Sequence, residues 1–479
     1  MTRKEQQAIR DAEIVELIHK NTLRILEEIG IAFLSEHALE LLRSKGVRVE
    51  GNRAYFTEQQ VMDALAVAKK DFVVRARNSK YDVKMNTEDI YMTPGYGSPS
   101  VVETDGTVRP ATFDDFLKLA VIVHQSEEFS INGGILAQPS DIDAEIPAEA
   151  MVYATLCRSD KALFSVCGGK AQAENIMKMM RIVFDGDITE IPCTFNLISP
   201  LSPLGVTEAT IDTIDVCALN GQPLVIAPGN MAGATGPISL AGNVSQANAE
   251  FLGINVYAQM VRPGTPVVYG FASTVSDMKN MQASNASPGF VKEAKYGALM
   301  AKKYGLACRS GGGMSDASGL TAQAGVESAM SMFESFSEGA NLMMHACGSL
   351  HSFNTVSFEK FLLDIETFTR MKYYFSDLPC DEDALAFDAI KEAIEDEGGV
   401  YITLDHTYER CRIDPWYHQV SVHTNTKGDP NQALYDSIHK RMDALLNSYE
   451  CPTLAPEKRA ALDDIMRGLG MKDSDIAKV

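Results

Sequence analysis

From about residue 88 the chain alternates between short apolar runs and longer stretches whose apolar residues recur at helical spacing. Each apolar run stops abruptly in glycine or polar residues. Runs at Ile90–Met92, Phe129–Gly133, Ala162–Cys167, Cys193–Ile198, Leu224–Ala227, Val267–Phe271, Ala307–Gly311 and Leu342–His345 read as buried strands. Amphipathic stretches between and after them read as helices: Phe113–His124, Glu149–Cys157, Ala171–Val183, Thr207–Leu219, Asn248–Met260, Gly289–Tyr304, Ala322–Glu338 and Phe358–Lys372. Eight strand–helix alternations predict an α/β fold of the (β/α)8 TIM-barrel type in preference to an open doubly wound sheet.

The flanks follow other patterns. Ile14, Leu17, Ile18, Leu23, Ile25, Leu26 and Ile29 give a helical stripe that Gly30 ends, followed by a helix at Glu36–Ser44, extended chain over Val47–Phe56 and a helix capped by Thr57. Phe72–Ala76 and Tyr81–Lys84 suggest a hairpin. Toward the C-terminus, Asp383–Asp396, Asp429–Tyr449 and Pro456–Leu469 read as helices, with a short extended piece at Tyr401–His406. The expected division is an N-terminal helical segment with short strands (1–87), the barrel (88–375) and a C-terminal extension packed on it (376–479).

Composition narrows the setting. The chain has 479 residues, 45% of them hydrophobic, which is globular in character, and no run of about 18 apolar residues that would span a bilayer. The first twenty residues are charged and lack the apolar core of a signal peptide, so a cytoplasmic protein is expected. Nine cysteines stand singly, among them Cys157, Cys167, Cys193 and Cys217, as buried free thiols would in a reducing compartment. A net charge of −21 argues against nucleic acid as a partner.

Chemistry concentrates where the strands end. Tyr96 lies between two glycines in TPGYGSPS; Phe195 sits near the end of the fourth strand, Asn230 in APGNMAGATG, Tyr269 and Phe271 at the sixth strand, and Phe353 after the eighth. If these aromatics converge they line a π-rich cup suited to a quaternary ammonium group, which cannot donate hydrogen bonds. Arg309 precedes Gly311, Gly312 and Gly313 in RSGGGMSD, a segment without the lysine of a phosphate loop. His345, Cys347 and His351 follow the eighth strand in a spacing that matches no standard zinc motif, and no metal is expected. His345 reads instead as an acid/base or hydrogen-bonding group at the barrel mouth.

The segments RSGGGMSDAS and QAGVES, the strand end LMMHACG, and the late residues His406, Thr407, Arg410, Arg412 and Trp416 resemble the trimethylamine:corrinoid methyltransferase superfamily. The similarity runs from the N-terminal helices to about His423. It implies a (β/α)8 barrel that transfers a methyl group from an amine to cobalt in a separate corrinoid protein. No pyrrolysine is present, which places the resemblance in the branch acting on glycine betaine, proline betaine, carnitine or γ-butyrobetaine. On this resemblance the chain itself holds no tight cofactor. The corrinoid (a cobalamin) comes with a cognate partner protein, and a homo-oligomer stays open. The match marks His345 and Asp316 as catalytic positions and Gly311–Gly313 as clearance for the corrinoid. Tyr96, Phe195, Asn230, Tyr269, Phe271, Arg309, His351 and Phe353 become substrate contacts, with Arg309, Asn230 or the backbone amides of Gly311–Gly313 as donors to a betaine carboxylate. Two rival readings are a zinc-dependent corrinoid methyltransferase with another methyl donor and a betaine-binding protein without catalysis.

Overall fold

The computed structural model describes residues 1–166, 168–395, 398–423 and 427–479. Cys167 and Asp396, which the sequence reading placed at the ends of a strand and a helix, lie outside the described residues. Eight parallel strands form the barrel: β1 (Tyr91–Met92), β2 (Ile131–Gly133), β3 (Ala162–Ser165), β4 (Thr194–Ile198), β5 (Leu224–Ile226), β6 (Val267–Gly270), β7 (Cys308–Gly311) and β8 (Leu342–Met344). Their order is β1-β8-β7-β6-β5-β4-β3-β2. The ladder is interrupted between β1 and β2. There the backbone beyond the strands bridges the seam, with Gly97 N–H donating to the Ile135 carbonyl (2.9 Å) and Gln138 N–H to that of Ser98 (2.8 Å).

Each strand feeds a helix: α1 (Phe113–Gln125), α2 (Pro147–Arg158), α3 (Lys170–Val183), α4 (Glu208–Leu219), α5 (Leu240–Val261), α6 (Pro288–Tyr304), α7 (Ala322–Ser337) and α8 (Phe358–Tyr374). The side chains of Thr112, Thr207, Ser287, Thr321 and Ser357 cap five of these by accepting from early helix amides. The strands are buried on both faces, which is why they read as continuous apolar runs instead of alternating ones. α5 starts eight residues before the expected Asn248, because Gly242 and Asn243 look like loop in sequence. It is buried nearly all round, since the N-terminal helix Arg3–Arg24 and the helix Glu58–Val67 cover the side that the barrel does not.

The N-terminal segment is tied on by strand Ile31–Leu34, which pairs in parallel with Gly205–Thr207 beyond β4. Its first helix and the π-helical turn Ile25–Ile29 that continues it bury Val15, Ile18, Thr22 and Leu26, whereas Leu17 and Ile29 of the expected stripe face solvent. The predicted hairpin forms from Val73–Val74 and Val83–Lys84. Its Phe72, Val74, Val83 and Met85 join the inward residues of the strands in one cluster and so plug the barrel floor. At the C-terminus, helices Pro430–Asn447 and Pro456–Gly468 pack against α1, α8, α2 and α3. The expected helix from Asp383 divides into Glu382–Leu385 and Phe387–Glu395 at Ala386, which is left-handed. Tyr401–His406, expected as extended chain, instead leads into the short helix Asp405–Arg410.

Candidate active site

The mouth of the barrel is roofed by loops that form two small sheets. One joins Met231–Ala232, Thr274–Asp277 and Gln282–Ser284; the other joins Ser349–Leu350, Thr355–Val356, Ser100–Val102 and Val108–Pro110. Strand alternation decides what faces the lumen below them. Phe164 of β3 and Phe195 of β4 point inward and stack with centroids 5.9 Å apart, and Tyr96 meets Phe164 edge-on at 5.9 Å. Across the mouth, the His345 ring lies 4.4 Å from that of Phe353.

His345 is buried in a left-handed backbone conformation (φ 52°). The Tyr96 amide donates to its Nδ1 at 3.3 Å, so the neutral ring carries its proton on Nε2. Burial, and then the charge of Arg309, push its pKa down to about 3. The ring is therefore uncharged at neutral pH.

Arg309 occupies the inward face of β7, in line with Ala307. It is buried, and burial lowers its pKa to about 10, leaving it charged. Its Nε–H reaches only the Met344 sulfur (3.2 Å), and Nη1 donates to the Phe271 carbonyl. No carboxylate among the described residues compensates it. Thr93 of the adjoining β1 extension stands opposite Met344 in the register set by Met343 and Met92. Its hydroxyl is buried and has no hydrogen-bond partner among the described residues. A buried guanidinium lacking a counter-ion is costly, and an anion that enters the lumen offsets that cost.

Not every expected residue joins this group. Tyr269 and Phe271 lie on the outward face of β6. Tyr269 donates to Asn248 (3.0 Å) and packs on Phe251, while Phe271 fills the space left by Gly297 of α6. Asn230 donates to Asn243 (2.7 Å) and accepts from Ser273 (2.5 Å), in a network completed by Glu293, whose carboxyl burial pushes up to about 8.

Asp316 accepts from Ser284 Oγ (2.7 Å), the Asn285 amide (2.9 Å) and Ser352 Oγ (2.5 Å), so it clasps the β6 and β8 loops together instead of facing the lumen. His351 shares a hydrogen bond with Thr355 within the same turn (2.9 Å). Gly311, Gly312 and Gly313 are buried, and the last two answer to packing: an added Cβ would come 2.6 Å from Ala346 Cα and 2.3 Å from the Ala346 carbonyl oxygen respectively. Their absent side chains admit the β8 loop, not a ligand.

Phe164, Thr93 and Met344 were not singled out from sequence. Carrying the inward alternation of Phe195 and Leu197 across to Ala162 and Phe164 would have found the first. The donor set does not suit zinc either. His345 Nδ1 already accepts a hydrogen bond, burial pushes the Cys347 thiol far up, and no described cluster of three or more ligating side chains could hold a metal.

Known proteins resemble the chain over nearly its whole length. The family model described as trimethylamine methyltransferase (MTTB) matches residues 2–468. The chain is 36% identical to glycine betaine methyltransferase of Desulfitobacterium hafniense (strain Y51), with 94% of each chain covered. It is 28% identical to proline betaine:corrinoid methyltransferase of Eubacterium limosum (94% and 95% covered) and 27% to L-carnitine:corrinoid methyltransferase of the same organism (94% and 95%). Among solved structures, the hydroxylamine complex of MtmB superposes with a TM-score of 0.50 at 10% identity, covering 90% of this chain and 98% of that one, a likeness of fold.

Proposed function

The chain belongs to the trimethylamine methyltransferase family, and on that premise we propose that it transfers a methyl group from a carboxylate-bearing quaternary amine to the cobalt(I) of a corrinoid carried by a separate protein. The observation that carries this reading is Arg309, a charged side chain inside the barrel with no carboxylate beside it among the described residues. A betaine brings the missing anion and, at its other end, a cation for which aromatic rings are the natural surroundings. Arg309 and the free Thr93 hydroxyl hold the carboxylate, while Tyr96, Phe164, Phe195 and Phe353 surround the methylated nitrogen.

Cobalt(I) supplies the nucleophile when the partner docks. The residues of this chain have the task of orienting the substrate and keeping water away. As the methyl carbon leaves nitrogen, the C–N electron pair returns to nitrogen and the product is a neutral tertiary amine. No proton has to be delivered, which suits a His345 that is neutral at working pH. Its Nε2–H, fixed by the Tyr96 amide on the opposite nitrogen, serves as a polar contact for substrate. The test is methylation of free cob(I)alamin by a panel of glycine betaine, proline betaine, carnitine, choline and trimethylamine. Turnover with one or more betaines above choline and trimethylamine is expected; turnover with trimethylamine alone, or with none of the panel, overturns the reading.

A further inference from the structure

Behind the β8 loop, α8 buries two opposite charges one turn apart. Lys360 and Asp364 are 1% and 2% exposed. The Lys360 ammonium donates to Asp364 Oδ2 (2.6 Å), to Ser328 Oγ of α7 (2.7 Å) and to the Gly313 carbonyl of the β7 loop (2.8 Å), which engages all three of its protons. Asp364 Oδ2 also accepts from the Gly348 amide of the β8 loop (2.8 Å). The pair thus reaches from one helix to a second helix and to two loops at the barrel mouth.

Stability is a weak reason for such a pair. Two charges taken out of water lose hydration that their attraction repays only in part, and apolar side chains of similar volume are often as stabilising or more so. What apolar side chains cannot do is hold backbone groups in place. Here each charge spends a hydrogen bond on a loop, at the point where the two loops lie against one another. The Gly313 amide donates to the Ala346 carbonyl (3.0 Å), and Gly313 Cα faces Asp364 so closely that an added Cβ would come 2.7 Å from the carboxylate.

The backbone carries this junction to the lumen. Ala346 follows His345 directly, and its amide donates to the Thr93 carbonyl (3.1 Å). His345 and Thr93 are therefore both attached to the short segment Ala346–Gly348 that Gly313 and Asp364 hold from behind. His345 is itself left-handed, a conformation that persists in a residue with a Cβ only where its neighbours impose it.

We propose that Lys360 and Asp364 are a positioning pair: anchored on α8, they fix the junction of the β7 and β8 loops and so aim the His345 ring and the Thr93 hydroxyl at the substrate. The proposal rests on the reading of those two residues as substrate contacts. Misplacing a reacting group by about 1 Å costs about 100-fold in rate, so a loosened junction shows in turnover before it shows in the fold.

The test separates stability from activity. Asp364→Leu leaves the Lys360 ammonium buried without its carboxylate, and Lys360→Met combined with Asp364→Leu removes both charges. The thermal midpoint of the double variant is expected above that of Asp364→Leu. Its kcat/KM for a betaine, with free cob(I)alamin as acceptor, is expected to stay at least about tenfold below wild type. The nitrogen-15 spectrum of histidine-labelled protein, with His345 assigned by the signal lost in His345→Phe, is expected to show one Nε2–H tautomer in the wild type and a mixture in the double variant. Turnover that recovers together with the midpoint, or an unaltered His345 tautomer, overturns the proposal. Should the double variant not fold, Ser328→Ala takes its place, since it removes a partner of both charges and keeps the charges themselves. A fall of about threefold in kcat/KM supports the pair, and wild-type kinetics with a wild-type histidine spectrum overturns it. A wild type that turns over none of the amine panel defeats the proposed function instead, and the histidine spectrum alone then decides the pair.

Discussion

At the residue scale, the lumen holds two groups whose burial works against the ionisation that water would give them, with different outcomes. Arg309 keeps its charge, since its pKa of about 10 is still above working pH. Arg309→Met should therefore cut kcat/KM for a betaine by about 100-fold or more, the scale of about 3 kcal/mol for a desolvated charge pair that loses one member. Turnover of choline, which lacks the carboxylate, should change by less than tenfold. The thermal midpoint of the ligand-free variant should equal or exceed that of the wild type, because a lone buried charge has been removed. Equal losses for both substrates would remove Arg309 from carboxylate recognition. His345, by contrast, has surrendered its charge. Its folded pKa of about 3 lies below the ordinary 6.5, so the unfolded chain binds the extra proton. Its contribution to stability is complete above about pH 6.5 and declines by about 1.4 kcal/mol per pH unit as pH falls toward 3. Comparing denaturation of wild type and His345→Phe across that range measures the slope. Between pH 6 and 8 the methyl-transfer rate should show no inflection from this ring.

At the scale of elements, three loops cooperate to set Phe353 against His345. His351, Ser352 and Phe353 are consecutive left-handed residues, a conformation that costs energy for side chains with a Cβ and persists only where the surroundings impose it. Asp316 and Asn285 hold Ser352 by its hydroxyl and carbonyl, Ser98 holds the Phe353 carbonyl, and the Ala317 carbonyl accepts from the His351 amide. Asp316→Ala should release this turn. A rise of about tenfold in KM for the betaine is expected with the far-ultraviolet spectrum and thermal midpoint within a few degrees of wild type. An unchanged KM would leave the clasp without influence on the site. Neither the clasp nor the left-handed run is visible in SGGGMSD or HACGSLHSF, because the partners of Asp316 come from loops more than thirty residues away on either side.

On the scale of the whole molecule, the barrel was legible because a parallel strand buried on both faces leaves an apolar run with a polar stop, and all eight runs were present. Strand polarity at the lumen was less so. Phe195 and Arg309 face inward, but Tyr269 and Phe271 fall on the other face of β6, and a run that is apolar throughout gives no alternation from which to choose. Asn230 looked like a donor in an open loop, yet it is committed to Asn243 of α5, whose start the glycine before it disguised. The floor plug was seen as a hairpin without its destination, since nothing local records which cavity a hairpin enters.

The seam between β1 and β2 has a consequence for how the ring opens. Seven of the eight strand junctions are continuous ladders, and the eighth is bridged by the loop hydrogen bonds that Gly97 and Gln138 donate. The barrel is thus a wound ribbon with a fastening. The amides of Gly97 and Gln138 at that fastening should lose hydrogen-exchange protection before those of the β4–β5 ladder. Tyr96 lies beside that fastening, so a ring that parts there also turns one wall of the substrate cup outward.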